Sequence, residues 1–178
     1  MEQETERKKQ LKKKNRNIVL KNLLILLIKM LLIIGIGFVF LKFVFGFTVA
    51  RDISMAPSIT EGELLLFYRL EKNYNTDDVV VIKKDNKEYI LRIVAKPGEK
   101  VSITDKGAVL VNDVPESHVV FYKTKTNDKV KYPYTVKDDE YFVMGDYRIE
   151  DNDSRIFGSI KTSEIKGIVI GKLKIRDI

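Results

Sequence analysis

Residues 79–94 read VVVIKKDNKEYILRIV, and the fold is decided there. Val79–Lys83 and Tyr89–Val94 are rich in β-branched and aromatic residues, the composition of strands. Asp85-Asn86 between them is a turn signal. Working outward, the same alternation of short apolar stretch and turn recurs. Glu63–Tyr68, Ala108–Val111, Val119–Tyr122, Glu140–Met144 and Ile168–Ile175 read as further strands. Turn signals separate the segments at Glu61-Gly62, Pro97-Gly98, Asp105–Gly107, Asn112-Asp113, Asn127-Asp128 and Asp138-Asp139. Thr60 and Thr162-Ser163 are the candidate helix starts, and each predicts only a short turn. The body from residue 48 to residue 178 is therefore expected to be all-β.

Upstream the pattern is different. Residues 1–17 are polar and crowded with Arg7, Lys8, Lys9, Lys12, Lys13, Lys14 and Arg16. Residues 18–47 are mostly Leu, Ile, Val and Phe, interrupted by Lys21, Lys29 and Lys42. A helix needs roughly 20 mainly apolar residues to cross a bilayer, and the span is expected near Leu24–Phe45. A cleavable signal peptide needs a shorter apolar stretch and a small-residue cleavage site, and Phe43–Thr48 offers none. The basic tail is expected to stay cytoplasmic by the positive-inside rule, with affinity for anionic headgroups, and the body to lie outside, close to the membrane.

Charge supports the division. Residues 1–51 hold 11 Lys and Arg against 3 Glu, whereas residues 52–178 hold 21 against 22. A nucleic-acid-binding body would carry its own basic face, so no nucleic-acid partner is expected. The chain has no Cys and a single His, His118, which excludes disulfides, thiolate metal sites, a cysteine nucleophile and a multi-histidine centre. No metal or cofactor is expected.

Three segments stand out together: Ile53-Ser54-Met55-Ala56-Pro57-Ser58; Tyr89 to Glu99, with Leu91-Arg92 and the turn Pro97-Gly98; and Met144-Gly145-Asp146-Tyr147-Arg148 followed by Asp153-Ser154-Arg155 and Phe157-Gly158. In order and spacing, behind one apolar span, they resemble the type I signal peptidases, and the compact length resembles the Gram-positive form. The resemblance runs from Ile18 to about Leu173. It implies a β domain of antiparallel sheets behind one transmembrane helix, and a membrane-bound serine endopeptidase acting on the signal peptides of exported proteins. It further implies Ser54 as nucleophile, a lysine immediately before Arg92 as general base, and a supporting frame of Met55, Pro57, Arg92, Asp146, Arg148, Asp151, Asp153, Ser154 and Arg155. Substrate would be an extended peptide with small side chains, added as a strand to a sheet edge.

The match is uneven where the chemistry lies. The lysine position holds Leu91, and a leucine has no proton acceptor. Asp151 stands where the family has a serine that holds the lysine, and Tyr147 where it has asparagine. Asp52 stands where some relatives place a hydroxyl for the oxyanion hole, and a carboxylate there would repel the developing charge. Lys87 or Lys96 could serve as a substitute base, but most lysines are simply solvated; Asp151 could serve instead if it points into the site, as a feeble base for a serine hydroxyl. Leu91 is expected to pack in the core, His118 to lie on the surface, Ser54 to be either a nucleophile or a turn residue, and Asp146, Asp153 and Arg155 to form one ion-pair network. Two readings follow: a peptidase with a non-standard base, or a pseudoenzyme that keeps the groove. The resemblance carries the second as well, since members without the dyad occur in Gram-positive bacteria, some tied to pilus subunits and their assembly.

Overall fold

A computed structural model describes residues 2–126 and 129–174, with side chains from residue 16 onward. The basic side chains before Arg16, the expected turn at Asn127-Asp128 and Ile175 lie outside the described residues. Helix α1 runs Glu2–Val44, and its 29 residues Arg16–Val44 are long and apolar enough to cross a membrane, with Val44 at its end the buried residue of that stretch. The last apolar residues leave the helix. Phe45–Val49 form strand β1, because Phe, Thr and Val pair along Leu64–Tyr68 from Phe45↔Tyr68 to Val49↔Leu64.

The body from Val44 onward holds β2 (Leu64–Tyr68), β3 (Val79–Lys84), β4 (Lys87–Ala95), β5 (Lys100–Ile103), β6 (Val109–Val111), β7 (Val114–Pro115), β8 (Tyr134–Thr135), β9 (Glu140–Met144), the short helix α2 (Ser154–Phe157), β10 (Ile160–Lys161), a single 3₁₀ turn at Thr162–Glu164, and β11 (Ile165–Leu173). Every strand pair is antiparallel. Seven strands form one sheet in the order β1-β2-β11-β3-β4-β9-β10, and four form a second in the order β7-β6-β5-β8. The expected all-β architecture of antiparallel sheets is what the chain adopts.

The β3–β4 hairpin follows the sequence closely. Asp85 and Asn86 have φ of 49° and 62°, the left-handed pair that a two-residue hairpin turn requires. That turn sets the register Lys84↔Lys87 through Val79↔Arg92. Alternate β4 side chains then enter different clusters. Leu91 and Ile93 pack with Val80, Ile82, Tyr141, Val143, Ile160 and Ile165, while Ile90 packs with Ala50, Met55, Ile59 and Leu65. A third cluster, including Val94, Val101, Val109, Val136 and Phe142, joins β4 and β9 to the small sheet.

One expected strand does not form. Val119–Tyr122 is irregular, and Phe121 is 72% exposed. Its residues have strand propensity but, among the described residues, no neighbouring strand to pair with, and propensity without packing does not make a strand.

Candidate active site

The three motifs converge. The third is joined to the first through Gly145, which follows β9: a Cβ at Gly145 would stand 2.6 Å from the Ser54 carbonyl oxygen, so only glycine permits this approach. The Tyr147 N–H donates to the same carbonyl at 2.8 Å. The second motif enters through Arg92 on β4. Its guanidinium grips Asp146 with two hydrogen bonds of 2.7 and 2.6 Å, and also donates to the Asp77 carbonyl (2.8 Å) and to Ser58 Oγ (3.4 Å).

Burial of Asp146 pushes its carboxyl up in pKa, but hydrogen bonds from Arg92 and Ser58 and the nearby positive charges outweigh this and hold it below its ordinary value. His118 Nε2 stands 3.5 Å from Asp146 Oδ2 with its side chain one-quarter exposed, so the histidine expected at the surface is half-buried against the frame. Nothing in its own segment signals this contact.

A second pair lies beneath. Asp153 accepts from Arg155 Nε at 2.9 Å and from Arg155 Nη2 at 2.8 Å, accepts from the Gly145 N–H at 3.1 Å, and caps α2 through the Arg155 N–H. Ser154 Oγ accepts from the Val143 N–H at 2.9 Å. The expected single network of Asp146, Asp153 and Arg155 is thus two ion pairs joined through Gly145, because β4 brings Arg92 to Asp146 first. Arg148, fully buried, forms a third pair that the sequence did not suggest: it holds Glu116 bidentately at 2.8 and 2.6 Å and donates to Thr124 Oγ1 and the Gly145 carbonyl.

Around Ser54 the arrangement is sparse. Ser54 Oγ donates to Asp52 Oδ1 at 2.6 Å, and the Ser54 N–H donates to the same oxygen at 3.0 Å. The carboxylate therefore occupies both the hydroxyl proton and the backbone donor that a serine nucleophile uses to stabilise an oxyanion. Met55 is buried beside Ile90, whereas Pro57, following a cis peptide bond, is exposed. Leu91 is 1% exposed within its apolar cluster, as expected. Lys87 is exposed at the start of β4, Lys96 lies beyond its end, and Asp151 is half-buried in the loop before α2. Asp52, Lys87 and Asn152 share a cleft of about 550 Å³ with Arg51, Lys83, Asn86, Glu88, Tyr89 and Lys166.

An anchor-like helix followed by antiparallel sheets that bring a serine motif, a strand and a Gly-Asp loop together defines a class, and comparison with known proteins says which. The family model described as signal peptidase, peptidase S26, matches residues 22–175. Signal peptidase I V of Bacillus subtilis (strain 168) is 32% identical over 135 residues, covering 67% of this chain and 80% of that protein. Signal peptidase IB of Staphylococcus aureus (strain N315) is 26% identical over 166 residues, covering 80% of this chain and 87% of that one. A crystal structure of a signal peptidase I from Enterococcus faecalis V583 overlaps 54% of this chain and 96% of that one, with 23% identity and a TM-score of 0.45. The chain belongs to the signal peptidase family.

Proposed function

We propose that this protein is a membrane-anchored member of the family that engages the signal peptides of exported proteins but lacks the base needed to cleave them. The observation that carries the reading is Leu91, buried among Val80, Ile82, Ile93, Tyr141 and Val143 where the resemblance calls for a lysine amine. A serine hydroxyl is a poor nucleophile until a positioned base takes its proton. The acceptor of the Ser54 hydroxyl is Asp52, and a carboxylate is a much weaker base for a serine proton than the amine the resemblance calls for. The same carboxylate also occupies the Ser54 N–H. In this reading Ser54 remains at the nucleophile position, and Arg92, Asp146, Arg148, Asp153, Ser154 and Arg155, with Met55 and Pro57, frame the groove.

What supports retained binding is the open edge of β4. Strand β9 pairs with β4 at Arg92–Ala95, so among the described residues Lys87–Leu91 have β3 on one side and no paired strand on the other. An extended peptide can add to such an edge by main-chain hydrogen bonds. The apolar helix α1 and the excess of positive charge before residue 52 support a cytoplasmic N-terminus and an external body.

The test uses the full chain in lipid with a labelled preprotein. Saturable binding with no cleavage product is expected; absence of binding sinks the groove reading. For topology, external protease on spheroplasts should digest the body and leave a small N-terminal fragment, and a fully protected body would reverse it.

A further inference from the structure

The cleft beside Ser54 carries a charge pattern that the family resemblance does not explain. Its walls hold four cations, Arg51, Lys83, Lys87 and Lys166, against two carboxylates, Asp52 and Glu88. Both carboxylates are already engaged. Asp52 accepts from Ser54, and Glu88 accepts from Thr48 and from Lys166. Although burial pushes the Glu88 carboxyl up in pKa, those hydrogen bonds and the charges of Lys166 and Arg51 outweigh it and hold the group below its ordinary value, so Glu88 is an ion at neutral pH. Among the described residues, Lys83 and Lys87 have no ion-pair partner, and Arg51 acts on Glu88 only through space. The excess is local, because residues 51–178 as a whole are balanced, with 22 basic against 22 acidic side chains.

The cleft also lies where a strand would be added. Lys87, Glu88 and Tyr89 belong to the open stretch of β4, Lys83 on β3 and Lys166 on β11 line the cleft from the paired side, and Arg51 and Asp52 line it from the segment leading to Ser54. A volume of about 550 Å³ accommodates several side chains of an extended peptide. Resting on the groove reading above, we infer that the cleft selects peptides bearing a carboxylate side chain close to the position that faces Ser54, drawn by the combined positive charge that Lys83, Lys87 and Arg51 place along its walls. Charge complementarity of this kind sets partner choice and association rate and weakens as salt rises.

The experiment measures binding of the full chain, in phosphatidylcholine nanodiscs, to a small-residue peptide with Glu, Gln or Lys at the flanking positions. The Glu peptide should bind about tenfold tighter than the Gln peptide at low salt, and the Lys peptide weakest. The ratio should shrink in high salt and collapse in Lys83→Glu/Lys87→Glu. Equal binding of the Glu and Gln peptides overturns this inference and leaves the groove intact. If no peptide binds at all, the groove reading fails and takes the inference with it. If peptide affinities ignore Lys83→Glu/Lys87→Glu while that variant loses thermal stabilisation by phosphatidylglycerol nanodiscs, the cleft holds a lipid headgroup and the proposal is wrong.

Discussion

Around Arg92 and Asp146 each buried charge has a built partner, whereas the Ser54 hydroxyl meets the carboxylate of the exposed Asp52. Arg92 meets Asp146, Arg148 meets Glu116, and Arg155 meets Asp153, each guanidinium holding its carboxylate with two hydrogen bonds. The serine has Asp52 as its acceptor, and the residue preceding Arg92 is an apolar side chain. Leu91 and Arg92 are neighbours on β4, yet the arginine is tied into a paired frame while the leucine packs in an apolar cluster. Frame and chemistry are separable: ion pairs that hold the motifs together do not depend on a base being present.

The comparison breaks most visibly at the frame. Asp146→Asn leaves Arg92 buried without its counter-charge, and loss of one partner of such a pair costs about 3–5 kcal/mol. Denaturant unfolding of the detergent-solubilised chain measures this, and a change below 1 kcal/mol (roughly the worth of a surface pair) would show the pair to be dispensable. Acid should act on the same pair. Because the Asp146 carboxyl is held below its ordinary value when folded, its contribution is complete above pH ~4 and is lost as pH falls through the folded value. Asp146→Asn should flatten that acid limb.

Leu91→Lys is expected to cost somewhat less. Its amine would enter an apolar cluster, and a depression of ~2 pKa units corresponds to about 3 kcal/mol at neutral pH. A folded-state pKa below the unfolded ~10.4 means that the unfolded chain binds more protons, so stability of this variant should rise with pH between the two values. A flat profile would place the side chain in water. The smallest effect belongs to Ser54→Ala, which removes one hydrogen bond to an exposed acceptor and should change stability by no more than about 1 kcal/mol.

Legibility in the sequence follows the same line. The β3–β4 hairpin could be read because its composition and its Asp85-Asn86 turn agree, and Glu140–Met144 was bounded correctly by its neighbours. The two-residue strands Tyr134–Thr135 and Ile160–Lys161 carry too few residues for any period to register, and they form only because β5 and β9 offer edges. Conversely, Val119–Tyr122 has the composition without a partner. In the site, motif order located Ser54, Leu91, Arg92 and Asp146, but Glu116, Thr124 and Asp77 reach the frame from segments with no local pattern. The hold of Asp52 on Ser54 did have a signal: an Asp side chain commonly bonds the backbone N–H two residues on, and Asp52-Ile53-Ser54 has that spacing.

The central claim is that Ser54 has no effective base, and the rate of preprotein cleavage by the full chain in lipid tests it most directly. Three proteins are compared: the unaltered chain, Ser54→Ala, and the combined Leu91→Lys/Asp52→Ser/Asp151→Ser. The combined variant supplies an amine, frees the Ser54 N–H and removes an acid that would keep the amine protonated; Leu91→Lys alone should restore little. The unaltered chain and Ser54→Ala should be equally slow, and the combined variant faster by roughly 10²-fold or more, the usual worth of a positioned base. Rapid cleavage by the unaltered chain that disappears in Ser54→Ala would contradict the account and show that another group already serves as the base.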